Sequence, residues 1–273
     1  MNKFKHKIKQ VLKFEERIAQ QTENMMRQNN FLPISETKPQ DIFIAGFPKS
    51  GNTWMQNLIC GILLDSTSTL LTPKLVNEIV PDVHVKKYYK RFLDTMVFKT
   101  HALPDPQYKK VIHLIRDGRD VMVSYYKMGV NKNINFPYSL KDMVVDGKGV
   151  SPTKWHIHTN QWIDNPYNAE ILSIKYEDLQ TKPVDTLQNI CAFINIEMSD
   201  KRLEAIINHN TIDTLRERVS KFGMDNDQTW KNKPITSFFR NGKIGSHKNE
   251  MDEKLIVFFN EESKTELEHF NYL

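Results

Sequence analysis

The sequence predicts an α/β fold: a single domain with a central, mostly parallel β-sheet flanked by helices. Three observations lead there. Short apolar runs of strand length recur at Ile42–Ala45 and at residues 96–99, 111–115 and 171–176. Helix-period stretches follow at residues 53–64, from Asp120 onward and at Pro183–Phe193. Strands alternating with helices in this way argue for a parallel sheet covered on both faces. The length of 273 residues, with 39% hydrophobic and 26% charged, suits a domain that folds on its own core without disulfide or metal staples.

The first 38 residues read as a basic helical extension. Lys3, Lys5, Lys7, Lys9 and Lys13 precede the first acid, Glu15, while Phe4, Ile8, Val11, Leu12 and Phe14 recur at a helix-like spacing. The segment lacks the apolar run of a signal peptide. No stretch of the chain approaches the ~20 apolar residues that cross a bilayer. Two readings fit: a solvated helix packed on the domain's edge, or a helix that touches a membrane surface or a partner. Pro33 and Pro39 close the extension, and the domain is expected over residues 39–273.

The strand at Ile42–Ala45 runs into Gly46-Phe47-Pro48-Lys49-Ser50-Gly51-Asn52-Thr53-Trp54. A small loop between a strand and a helix N-terminus aims backbone N–H groups and the positive end of the helix dipole at one spot, which favours a phosphate. Lys49 adds a full charge, and Ser50, Asn52 and Thr53 add donors. The loop is P-loop-like but is not the nucleotide-triphosphate motif, which needs Gly-Lys followed by Ser or Thr. Here Gly51 precedes Asn52, and the lysine stands two residues before Gly51. A plain strand-to-helix turn is the other reading.

The strand at 111–115 leads into Arg116-Asp117-Gly118-Arg119-Asp120, with Ser124 further along the next helix. An arginine at the carboxyl end of a buried strand suits a bidentate grip on phosphate. Against this, Asp117, Arg119 and Asp120 could simply cap the helix and pair among themselves. From about 208 to 248 the pattern is irregular and rich in Asn, Lys, Gly and Pro, as expected of a binding lid. The net charge of +5 is mild and does not point to nucleic acid. Cys60 and Cys191 have no metal-type spacing and read as buried free thiols in a reducing, cytoplasmic setting.

Taken together, the two loops resemble the cytosolic sulfotransferase family. Phe47-Pro48-Lys49-Ser50-Gly51-Asn52-Thr53-Trp54 is similar to its phosphosulfate loop, Tyr-Pro-Lys-Ser-Gly-Thr-Thr-Trp. Arg116 with Ser124 keeps the spacing of its 3′-phosphate site, Phe98 to Pro104 resembles its catalytic-histidine segment, and Phe238 to Asn249 its late Arg-Lys-Gly loop. The resemblance implies transfer of a sulfuryl group from 3′-phosphoadenosine 5′-phosphosulfate (PAPS) to a hydroxyl or amine of a small-molecule acceptor, without a metal, leaving adenosine 3′,5′-bisphosphate (PAP). It implies His101 as general base, with Lys49 and Lys99 meeting charge at the departing phosphate and the sulfuryl oxygens, and Ser124 bonding both the 3′-phosphate and Lys49. Trp54 would stack on adenine, with Tyr176, Ser220 and Phe222 as further adenine-side residues and Arg240, Asn241 and Gly242 closing from the late loop. Acceptor lining is expected from residues 83–89, 130–149 and 220–237. The family's dimer motif is not reproduced after Lys248, so the chain is expected to be a monomer or a dimer built another way. A P-loop kinase and a non-catalytic adenosine-bisphosphate binder stay open as alternatives.

Overall fold

The computed structural model describes residues 2–67, 71–133, 135–224, 239 and 242–273, with side chains from residue 13 onward except that of 132. Helix α1 (Asn2–Gln28) leads into a short strand β1 (Phe31–Pro33). The first βα unit is β2 (Ile42–Ala45) and α2 (Asn52–Leu63), followed by α3 (Pro73–Ile79), β3 (Tyr88–Lys90) and β4 (Val97–Thr100). The second unit is β5 (Lys110–Ile115) and α4 (Gly118–Lys132), with α5 (Leu140–Asp146) and α6 (Trp155–Asp164) behind it. Strand β6 (Glu170–Lys175) then opens directly into α7 (Tyr176–Thr181), α8 (Pro183–Phe193), α9 (Asp200–Asn208) and α10 (Ile212–Phe222). The chain closes with α11 (His247–Glu250), α12 (Glu253–Glu262) and α13 (Lys264–His269).

Four strands form one sheet in the order β4-β2-β5-β6, all parallel, while β1 and β3 pair antiparallel apart from it. Every residue of β2, a central strand covered on both faces, is buried, and so is every residue of β4 at the sheet's edge, where Asp82 bridges to Lys99. The pleat sends alternate side chains to opposite layers. Ile42 and Ile44 join the core under α2, α8 and α9, whereas Phe43 and Ala45 face the other side with Phe98, Val111 and Trp162. The Phe43 and Phe98 rings, on neighbouring strands, stack with centroids 5.4 Å apart.

One departure from the sequence expectation stands out. The stretch from 208 is not irregular at its start: α10 occupies Ile212–Phe222, with the Thr211 hydroxyl capping it by accepting from the Thr214 N–H at 3.3 Å. Residues 225–238, the middle of the expected lid, lie outside the described residues, as do Arg240 and Asn241. Meanwhile α1 is a long helix whose described side chains are mostly exposed, Phe14 and Ile18 among them.

Candidate functional site

Each strand of the parallel sheet delivers a residue of one site at or just past its carboxyl end, where open α/β sheets hold ligands. Strand β2 ends in the loop of Lys49, β4 carries Lys99 and leads to His101, β5 leads to Arg116, and β6 leads to Tyr176. These five residues line a single cavity of about 740 Å³. Ser124, two turns into α4, joins them from behind Arg116.

The loop after β2 is shaped by two glycines. Gly51 has φ of 103°, a left-handed conformation, and a Cβ there would stand 2.6 Å from the Tyr176 ring. At Gly46 a Cβ would meet Leu114 O at 2.7 Å. The Asn52 side chain ties the loop shut by donating to Phe47 O at 2.9 Å. Asn52 and Thr53 open α2 and line the cavity with Lys49, Gly51 and Trp54. Ser50 does not: its side chain is fully buried beneath the loop, without a hydrogen-bond partner among the described residues.

Arg116 is buried and central. Its guanidinium lies over the Tyr176 ring at 4.3 Å and donates to Lys243 O at 3.0 Å. Its Nε has no partner among the described residues. Trp54 meets the other side of Tyr176 edge-on at 5.6 Å, and its own buried Nε1 is likewise unpartnered. The Tyr176 hydroxyl donates to Gly242 O at 2.9 Å, which brings the late loop to the same wall. Within the 116–124 stretch Asp117 caps α4 and pairs with Arg119 at 2.7 Å, while Arg116 and Ser124 line the cavity.

Asp120 bonds outside its own helix. It is fully buried and accepts from Gly245 N–H at 2.7 Å, His247 N–H at 2.9 Å and His247 Nδ1 at 2.8 Å. Burial alone would raise its carboxyl; the His247 bonds, the Arg116 charge and the Gly245 N–H outweigh that and hold it down at about 2.

His101 sits across the cavity from these groups. Its Nδ1 lies 2.8 Å from Gly46 O, a carbonyl that can only accept, so Nδ1 carries the proton and Nε2 keeps the lone pair. Burial, and then the charge of Lys99, push His101 down to about 3 and keep the ring neutral. Lys99 pairs with Asp82 at 2.7 Å.

Ser220 and Phe222 are exposed near the end of α10 and do not line the cavity. Leu215, Arg218 and Val219 of that helix do, together with Gln180. The sequence reading missed these four. The three-to-four-residue spacing of Leu215, Arg218 and Val219 was the available signal, hidden by reading the segment as loop. Among the described residues there is no cluster of three or more His, Cys, Asp or Glu that could hold a metal, and no helix is long and apolar enough to cross a membrane.

The chain is 27% identical over 252 residues to sulfotransferase 1E1 of Bos taurus, covering 84% of this chain and 85% of that one. Its fold matches mouse sulfotransferase SULT7A1 solved with PAP, at a TM-score of 0.62 and 19% identity, covering 85% of this chain and 86% of the other. It also matches retinol dehydratase solved with androsterone and the inactive cofactor PAP, at a TM-score of 0.63 and 18% identity, covering 85% and 82%. The family model described as "Sulfotransferase domain" matches residues 39–271, and with the sheet-edge site assembled in that span, this chain belongs to the sulfotransferase family.

Proposed function

We propose that the protein transfers a sulfuryl group from PAPS to a hydroxyl or amine of a small-molecule acceptor, with His101 as general base. The observation that carries this reading is the His101 tautomer: Nδ1 is committed to Gly46 O, leaving a neutral Nε2 as proton acceptor in the same cavity as Lys49, Lys99 and Arg116. The residues suit the donor. The glycine-shaped loop offers backbone N–H groups, and Arg116 and Lys49, both lining the cavity, offer charge.

When bound, PAPS supplies an activated sulfuryl group on a phosphate leaving group. The protein's own part is positioning and charge. His101 Nε2 takes the acceptor proton as the oxygen–sulfur bond forms and the bond from sulfur to the bridging oxygen breaks. Lys49 and Lys99 meet the negative charge that this shift moves, Arg116 and Ser124 hold the 3′-phosphate, and Trp54 and Tyr176 flank the base. Arg240, Asn241 and Gly242 complete the 3′-phosphate side in this reading. The catalytic unit is assigned to residues 39–273 with 1–38 as an extension. A reducing, cytoplasmic setting is supported by the two free, buried thiols.

The test is transfer of labelled sulfate from PAPS to a panel of phenols, alcohols and amines in buffer free of magnesium. Transfer in that buffer is expected; no sulfate transfer, with magnesium-dependent phosphoryl transfer from ATP in its place, would point to a kinase instead. Calorimetry on Arg116→Ala adds a second check. Affinity for PAP should fall by about tenfold or more, and affinity for adenosine 5′-phosphate should change far less. Equal losses on both ligands would make Arg116 structural.

A further inference from the structure

Alongside β4 runs a short piece of chain, residues 81–84, that belongs to no strand of the sheet. It is bridged in parallel to Lys99: the Lys99 N–H donates to Pro81 O at 2.8 Å and the Val83 N–H to Lys99 O at 3.0 Å. The segment brings two polar side chains to the cavity wall, Asp82 against Lys99 and His84 against His101. Asp82 and Lys99 are both buried. One carboxylate oxygen of Asp82 accepts from Lys99 Nζ at 2.7 Å and the other from the His84 N–H at 2.9 Å. The Asp82 N–H in turn donates to Asn77 Oδ1 at 2.9 Å. His84 Nε2 accepts the His101 backbone N–H at 2.9 Å, and the two imidazoles stack at 5.8 Å with planes 10° apart. A single carboxylate therefore touches the lysine directly and reaches the histidine's backbone through one residue.

We propose that Asp82 is a positioning residue of the transferring centre, aiming the Lys99 ammonium into the cavity and holding the His84 segment against His101. The proposal rests on the roles given above to Lys99 and His101. A lysine stem has four rotatable bonds, and a partner that orders them in the empty enzyme removes that ordering from the reaction step. An ammonium has three N–H bonds; with one on Asp82, two remain for an oxyanion. Burial works to raise the Asp82 carboxyl, but the charge and hydrogen bond of Lys99 outweigh it and hold it below the ordinary range, so Asp82 stands beside the lysine as a carboxylate. The groups facing Lys99 are Asp82 from this segment and His101 from its own strand end, with His84 behind His101. Asp82 is the only negative charge among them.

Asp82→Asn keeps the shape and the bond from the His84 N–H but removes the charge. Without any ligand, acylation of Lys99 by an amine reagent, followed peptide by peptide in the mass spectrometer, should quicken by about tenfold. In turnover, kcat should fall by roughly ten- to a hundredfold while Kd for PAP stays within about threefold. The acid limb of the kcat/KM profile should move further down, because Asp82 also works to raise His101. Asp82→Glu restores the charge and should recover slow labelling and part of kcat. Unchanged Lys99 labelling in Asp82→Asn overturns the proposal, as does a matched loss of kcat and PAP affinity that Glu does not repair. If the Asn variant does not fold, the Glu variant decides: fast Lys99 labelling in that folded protein also overturns it. Labelling needs neither donor nor acceptor, so a wild-type protein that transfers no sulfate would sink the functional reading and leave this result standing.

Discussion

At the scale of single residues, the site depends on a few atoms with fixed hydrogen-bond roles. Because the Gly46 carbonyl commits His101 Nδ1 as donor, His101→Ala should lower turnover by about a hundredfold or more. PAP affinity in calorimetry should stay close to wild type. With His101 pushed down to about 3, its neutral base form persists far below the ordinary histidine range, so the acid limb of kcat/KM should lie well under about pH 6.5. A limb at the ordinary value would show that another group is the base. Gly51→Ala combines a left-handed φ with a methyl pressed on Tyr176, so loss of PAP binding and a lower Tm are expected together. That Lys49, Arg116 and Ser124 would share one cavity was legible in the sequence because each lies in or just after a short run at a strand end, while His101 was reached only through the family resemblance of its segment. Asp82 was not, since its partner is seventeen positions away and only the bridge beside β4 joins them.

Among elements, the four strands and the helices α2, α4 and α8 could be read from apolar period alone, and their ends moved by only a residue or two. Helix α10 went unread despite the spacing of Leu215, Arg218 and Val219, because its polar face and the Asn-, Gly- and Pro-rich chain after it gave one continuous loop signal. The late segment shows the same limit. Its composition reads as a binding lid, and the chain alone does not show that Gly242 is held by Tyr176 and Gln180, or Gly245 and His247 by Asp120. Such tethering is tertiary and leaves no local pattern. Asp120→Asn should therefore speed hydrogen exchange at Gly245 and His247 and destabilise the fold by about 2 to 3 kcal/mol, because several bonds to a buried carboxylate weaken at once. Exchange there that is already fast in the wild type would mean that the Asp120 anchor does not hold this segment in solution.

For the whole molecule, stability is tied to pH through imidazoles behind the site. His158 donates from Nε2 toward the carbonyls of His101 and Ala102, and His113 packs on Trp162; burial pushes His158 down to about 4, and burial with the nearby His158 pushes His113 down to about 3. Folded values below the unfolded one favour the native state above about pH 6.5, and that contribution drains away as pH falls from there, by up to about 1.4 kcal/mol per pH unit for each ring. Urea midpoints at about pH 7.5 and about pH 5 should differ clearly, and His113→Gln should narrow the gap; equal midpoints would rule the linkage out. The two cysteines provide a clock for the same core. Cys60 on α2 and Cys191 on α8 lie in the apolar cluster under the sheet, and burial pushes their thiols up to about 12 and about 11. Thiolate chemistry must therefore wait for that layer to come apart. The rate at which a chromogenic disulfide reagent consumes them reports how often the native chain opens. If that opening empties the cavity as well, PAP at a hundred times its Kd should slow the reaction by about a hundredfold. A much smaller slowing would mean that the helices breathe over the thiols while the nucleotide stays in its place.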